Sequence, residues 1–221
     1  MVKIGVFDSG IGGEAVAMKL QLLFPDAEVI SINDSANVPY GTKTEEEIKD
    51  LTLHAIRPLI DAVCDAIVVA CNTATTVAIS ALREKYPTVH FVGIEPMVKP
   101  AAKMTKSNTI AVLATPGTLA SKRYHDLKHE WATDVRIIEP DCSSWATLIE
   151  ANQIDTIPLE QTVSMLTDQN VDVIVLGCTH YHWLKKRIET AAGSDVVVLE
   201  PSDAIGARLD YLLTTATELR G

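Results

Sequence analysis

The chain has 221 residues, 47% hydrophobic and 22% charged; that supports a sizeable core and excludes a disordered chain. Lysine and arginine number 19 against 29 aspartates and glutamates, a net charge of −10. This argues against a nucleic-acid backbone or an anionic membrane as partner, because both need a basic face.

Length alone predicts roughly one to two domains. The apolar runs fall short of the ~18 residues of a membrane span. Asp8 arrives before any apolar stretch could serve as a signal peptide. The expectation is a soluble, cytoplasmic protein.

In chain order, residues 3–7 read as a strand, followed by a glycine-rich turn and a helix from about Gly13. Residues 28–33 read as a second strand. Thr44 and Glu47 form a capping box, and the helix it opens carries Ile48, Leu51, Ala55 and Leu59 on one face. The apolar runs 66–71 and 88–94 are too short for helices and read as buried strands. Strands alternating with helices mean βα units and a parallel sheet.

The second half repeats this order. Ile4-Gly5-Val6-Phe7 aligns with Ile110-Ala111-Val112-Leu113 at a shift of 106. The segment from Asp65 to Cys71 aligns with that from Asp172 to Cys178 at a shift of 107. Val92-Gly93-Ile94-Glu95-Pro96 aligns loosely with Val197-Val198-Leu199-Glu200-Pro201 at a shift of 105. A nearly constant offset of half the chain predicts two pseudo-symmetric, doubly wound α/β domains with mainly parallel sheets, facing each other across a cleft. The first is expected to span residues 1–96 with 205–221, the second 97–204. Residues 202–219 read as a closing helix.

The four cysteines are Cys64, Cys71, Cys142 and Cys178. No CxxC pair occurs, so neither a zinc site nor any other metal site is expected, and a disulfide framework does not suit such a chain. Cys64 and Cys142 read as structural. A strand-end cysteine is ordinarily core packing. The matched pair, Cys71 and Cys178, is different. Each ends a buried strand at the carboxyl edge, where ligands bind in open α/β sheets. Each is followed by helix-opening polar residues, Asn72-Thr73 and Thr179-His180. A helix start there favours a thiolate and offers free N–H groups to a carboxylate. Two weak bases around one small ligand suit proton removal from one face and delivery to the other, which is racemisation or epimerisation. A Cys–His hydrolase through Cys178 and His180 would leave Cys71 and the repeat without a purpose. A binding protein without turnover is a third reading.

Asp8, in the glycine-rich first turn, would repel phosphate and suits an ammonium group; its plain reading is a turn residue or helix cap. Pro39-Tyr40-Gly41 is a turn that can present a phenol and backbone N–H groups. Glu150 can orient the His180 imidazole.

These stretches resemble the glutamate racemases of the cofactor-independent aspartate/glutamate racemase superfamily. The matching motifs are Gly5-Val6-Phe7-Asp8-Ser9-Gly10-Ile11-Gly12-Gly13, Pro39-Tyr40-Gly41 with Lys43, Ala70-Cys71-Asn72-Thr73-Ala74, Gly93-Ile94-Glu95-Pro96, Ala114-Thr115-Pro116-Gly117-Thr118 and Leu176-Gly177-Cys178-Thr179-His180-Tyr181. The resemblance implies two α/β domains with the active site in the cleft between them, no cofactor, a small amino-acid substrate, a homodimer, and supply of D-glutamate for peptidoglycan. It implies Cys71 as the base toward the D-enantiomer and Cys178 toward the L-enantiomer. Asp8 is the implied acid beside Cys71, and His180 with Glu150 the assisting pair beside Cys178. Ser9, Pro39, Tyr40, Gly41, Asn72, Thr73, Thr115, Thr118 and Thr179 are the implied substrate contacts, together with Asp8 and His180. Three departures stand out: Glu14 replaces an apolar residue, His182-Trp183 replace proline and an apolar residue, and the chain is shorter than most members.

Overall fold

The structure is a computed structural model that describes residues 1–218. The chain divides into two units, Met1–Ile94 with the chain from Pro201 onward, and Glu95–Glu200. Each is described by itself.

The first unit is built on four short strands, β1 (Lys3–Asp8), β2 (Glu28–Asn33), β3 (Ala66–Val69) and β4 (His90–Gly93). All pair in parallel, in the order β2-β1-β3-β4. The two inner strands are buried on both faces, which is why they read as unbroken apolar runs. Ile4, Val6, Ala66 and Val68 pack on one face with Val16 and Leu20 of helix α1 (Gly12–Leu23). Phe7, Ile67 and Val69 face the other way, toward Ile48 of α2 (Glu45–Ala55), Leu59 of α3 (Arg57–Asp61), and Ala74 and Leu82 of α4 (Asn72–Lys85).

Thr44 caps α2 in the expected box: Glu47 N–H donates to Thr44 Oγ1 at 3.3 Å and Thr44 N–H to Glu47 Oε2 at 2.8 Å. One expectation is corrected here. Leu59 does not continue that helix; α2 ends at Ala55 and Leu59 lies in the separate helix α3. Pro58 explains the break, since it has no N–H for His54 and its ring crowds that carbonyl.

In the second unit, α5 (Val98–Met104) precedes β5 (Thr109–Ala114), α6 (Pro116–Ala120), α7 (Lys122–Trp131), β6 (Arg136–Ile138), α8 (Trp145–Glu150), α9 (Leu159–Thr167), β7 (Val173–Gly177), α10 (Lys185–Ala192) and β8 (Val197–Leu199). Its parallel sheet runs β6-β5-β7-β8, the order of the first. Ile110, Val112, Val173 and Val175 pack with Val98, Ala101, Tyr124 and Leu127. The last helix, α11 (Ser202–Glu218), returns to the first unit, where Ile205 and Leu209 join the α1 side of the core. The closing helix expected over 202–219 ends on Leu219, which lies outside the described residues, as do the last three residues of the expected 205–221 segment. No helix among the described residues is long and apolar enough to cross a membrane.

The repeat extends to polar detail. Asp65 ahead of β3 accepts Lys3 N–H at 2.9 Å. Asp172 ahead of β7 accepts Lys106 and Ser107 N–H at 2.6 and 2.8 Å and the Thr105 hydroxyl at 2.5 Å. Each carboxylate ties the start of its strand to the chain entering the neighbouring central strand. The divisions between units fall at Ile94/Glu95 and Glu200/Pro201, where 96/97 and 204/205 were expected. Arg123 grips Glu95 through two bonds of 2.7 and 2.8 Å, which keeps Glu95 with the second unit.

Gly13 opens α1 directly over the end of β1, and a Cβ there would lie 2.4 Å from Asp8 Cβ. Gly13→Ala is therefore expected to cost about 1–3 kcal/mol of stability, read as a lowered urea midpoint; an unchanged midpoint would contradict the contact. Buried acids give a pH dependence. Burial first, then Asp141 and Cys178, push the Cys142 thiol from 9.0 up to about 12. Burial and Glu139 push the Tyr124 phenol upward as well. A folded-state value above the unfolded one gives stability that is full below the unfolded value and lost as pH rises through the folded one. The urea midpoint is expected to fall between about pH 9 and 12, and Cys142→Ala to shed part of that slope. An identical slope in the variant would refute the assignment.

Candidate active site

The site residues gather at the carboxyl edge of each sheet. In the first unit, β1 and β3 pair through Phe7 and Val69, so Asp8 and Ala70-Cys71 leave the sheet side by side. Cys71 is the cap of α4: Ala74 N–H donates to its Sγ at 3.4 Å. Ser9 Oγ donates to the same sulfur at 3.3 Å. Asp8 is fully buried, and its Oδ1 accepts Gly10 N–H at 2.8 Å.

The turn Tyr40–Thr42 brings a buried phenol to this edge. Its hydroxyl donates to Asp34 Oδ2 at 2.6 Å. Burial, then the bonded Asp34 carboxylate, raises the Tyr40 phenol far above its ordinary range, with smaller contributions from Cys71 and Asp8. Tyr40 and Cys71 belong to one buried cluster. Gly41 follows in the same turn. Pro39 is exposed and accepts the Thr42 hydroxyl through its carbonyl. Asn72 and Thr73 are buried in the first turn of α4. The Asn72 amide is the notable case: among the described residues neither its oxygen nor its nitrogen has a hydrogen-bond partner. Such a group is costly to bury unless a ligand satisfies it.

In the second unit, β5 and β7 pair through Ala114 and Gly177, so Thr115 and Cys178 emerge together. Cys178 Sγ lies 3.7 Å from His180 Nδ1. His180 Nε2 lies 2.5 Å from Glu150 Oε1, a short contact that fixes the ring. Glu150 ends α8, far from His180 in sequence, and the structure brings the two together. Thr179 is buried at the start of the turn Thr179–Leu184. Thr115 caps α6, its Oγ1 accepting Thr118 N–H at 3.3 Å, and the two hydroxyls are 3.1 Å apart.

Sequence reasoning missed two contributors. Asp34 holds the Tyr40 hydroxyl and accepts the Asn37 amide at 2.9 Å. Its signal was available: it directly follows β2 at the same sheet edge. Cys142, read as structural, is buried near enough to Cys178 for that residue to add to the rise of the Cys142 thiol, and its carbonyl accepts the Tyr181 hydroxyl at 2.8 Å. Tyr181 also packs edge-on against Trp145 at 5.5 Å. No spacing in the sequence links these residues.

The profile of the Asp/Glu/Hydantoin racemase family matches residues 14–208. The glutamate racemase of Roseiflexus sp. (strain RS-1) is 39% identical over 214 residues, covering 95% of this chain and 79% of that protein. That of Deinococcus radiodurans is 37% identical, covering 99% and 77%. Among solved structures, Escherichia coli glutamate racemase in complex with L-glutamate and the activator UDP-MurNAc-ala superposes with a TM-score of 0.86 at 31% identity, covering 96% of this chain and 82% of that one. Francisella tularensis glutamate racemase in complex with D-glutamate gives 0.80 at 30% identity, covering 98% and 82%. The two repeated parallel sheets, the strand-end thiols and these matches agree, and the chain belongs to the Asp/Glu/hydantoin racemase family.

Proposed function

We propose that this chain interconverts L- and D-glutamate by a two-base thiol mechanism that uses no cofactor, and so supplies D-glutamate for peptidoglycan. The observation that carries the reading is the pair Cys71 and Cys178, each at the end of the equivalent strand of its unit, Cys178 beside the His180 imidazole and Cys71 at the end of the strand next to the one that ends in Asp8. The relatives named above support glutamate over aspartate as substrate.

In the L-to-D direction, the Cys178 thiolate takes the α-proton. The Cα electron pair moves into the α-carboxylate. The Cys71 thiol then delivers its proton to the opposite face, leaving Cys71 as thiolate and Cys178 as thiol. The reverse direction uses the same atoms in the opposite order. With ~12 pKa units between the α-C–H and a thiol, the intermediate lies about 16 kcal/mol uphill. Fixed donors and a dry site must lower it. The contacts fit these roles. Ser9 O–H and Ala74 N–H aim hydrogens at the Cys71 sulfur. Glu150 holds His180 so that Nδ1 faces the Cys178 thiol. Asp8 suits the ammonium group. The unpartnered Asn72 amide, with the backbone of Gly41, Thr73 and Thr179, suits the carboxylates. Thr115 and Thr118 complete the set. The Tyr40 hydroxyl already serves Asp34, so this residue contributes through its backbone and by closing the site from water. A cytoplasmic homodimer belongs to the same proposal.

The test is proton NMR of L-glutamate and L-aspartate with the protein in heavy water. The expected result is loss of the glutamate α-proton signal with aspartate unchanged. Cys71→Ser should slow racemisation at least about 10²–10⁴-fold, the range of a removed general base, with an unchanged circular dichroism spectrum. Loss of the aspartate signal alone would overturn the substrate. Exchange in neither, with a folded and reduced protein, would overturn the reaction.

A further inference from the structure

The shift of 107 that pairs Cys71 with Cys178 also pairs Thr75 with His182. Thr75 has a clear task in the first unit. Its hydroxyl donates to Val69 O at 3.0 Å and accepts Ile94 N–H at 3.2 Å. It thereby ties the turn after Cys71 to the chain leaving β4. His182 occupies the equivalent place in the second unit, where the resemblance led us to expect proline. Its side chain is only 5% exposed, and Nδ1 lies 3.9 Å from Glu200 Oε2, on the residue that leaves β8.

We propose that His182 is a positioning residue for the turn that carries Cys178 and His180, its buried ring packed against Glu200 at the place from which Thr75 reaches the chain leaving β4. The inference rests on the racemase reading and deepens it. Three groups face the ring: Glu200, Lys185, whose Nζ lies 3.7 Å from Glu200 Oε1, and His180. Burial first lowers the His182 pKa to about 4, with Lys185 and His180 acting in the same direction and Glu200 opposing them. The ring is therefore neutral at physiological pH. Nδ1 faces Glu200 at 3.9 Å, beyond hydrogen-bond distance, and the other ring nitrogen is Nε2. That atom is buried and has no hydrogen-bond partner among the described residues. A buried nitrogen left so is destabilising in itself. A ring kept there despite that cost points to a demand on its position.

The test compares His182→Leu, His182→Gln and Glu200→Gln with the wild-type enzyme, using α-deuterated and unlabelled glutamate of each hand. His182→Leu should lower kcat for L-glutamate about tenfold with KM changed less than about twofold. Its primary isotope effect should rise with L-glutamate, whose proton goes to Cys178, and not with D-glutamate. His182→Gln, which places a polar amide against Glu200, should recover most of kcat, and Glu200→Gln should reproduce the directional effect if His182→Leu does not fold. Equal isotope-effect changes in both directions, or wild-type kinetics in both His182→Leu and Glu200→Gln, would overturn the proposal while the wild-type control still racemises. A wild-type protein that does not racemise would refute the parent reading and this one with it.

Discussion

The structure depends on one constraint: the second central strand of a parallel sheet, covered on both faces, has room for chemistry only at its end. Every residue of β3 and of β7 is buried. Where the strand gives way to the next turn, the side chain in both units is a thiol. Local sequence then makes the two thiols unlike. After Cys71, the small residues Asn72, Thr73 and Ala74 allow an α-helix to start at once, and the sulfur becomes its cap. After Cys178, the chain runs through a 3₁₀ turn, Thr179–Leu184, instead. Tyr181 is drawn inward by the Cys142 carbonyl and Trp145. The Cys178 sulfur caps nothing through its side chain and meets His180 instead. One sulfur is thus held by a hydroxyl and a backbone N–H, the other by an imidazole backed by a carboxylate.

Most of the fold was legible because burial writes itself into the strands. The runs that became β1, β3, β5 and β7 are apolar on both faces and share an offset. Among the edge strands, β2 was read at its own bounds, 28–33, whereas β6, with only three residues, was not read. The break between α2 and α3 was missed because the apolar spacing runs through it. The period of Ile48, Leu51, Ala55 and Leu59 is helical, but Pro58 decides where the hydrogen bonds stop.

The site was legible where a residue's position follows from the strand beside it. Asp8, Cys71, Thr115 and Cys178 all sit at strand ends, and pairing within the sheets sets them next to one another. It was less legible where loops deliver the partner. The contact of Glu150 with His180 depends on where α8 ends. The engagement of Tyr40 with Asp34 depends on the turn after β2. The unpartnered Asn72 amide is visible only once every neighbour is placed.

The central claim is that two different bases serve the two faces of one carbon. The most direct test follows the label in heavy water during the first few per cent of reaction from L-glutamate. Two bases, each carrying solvent-derived deuterium only when it is the donor, predict that the D-glutamate formed is deuterated at the α-carbon while the remaining L-glutamate is not. Deuterium appearing equally early in both enantiomers would mean that a single base returns solvent hydrogen to either face, and would contradict the account.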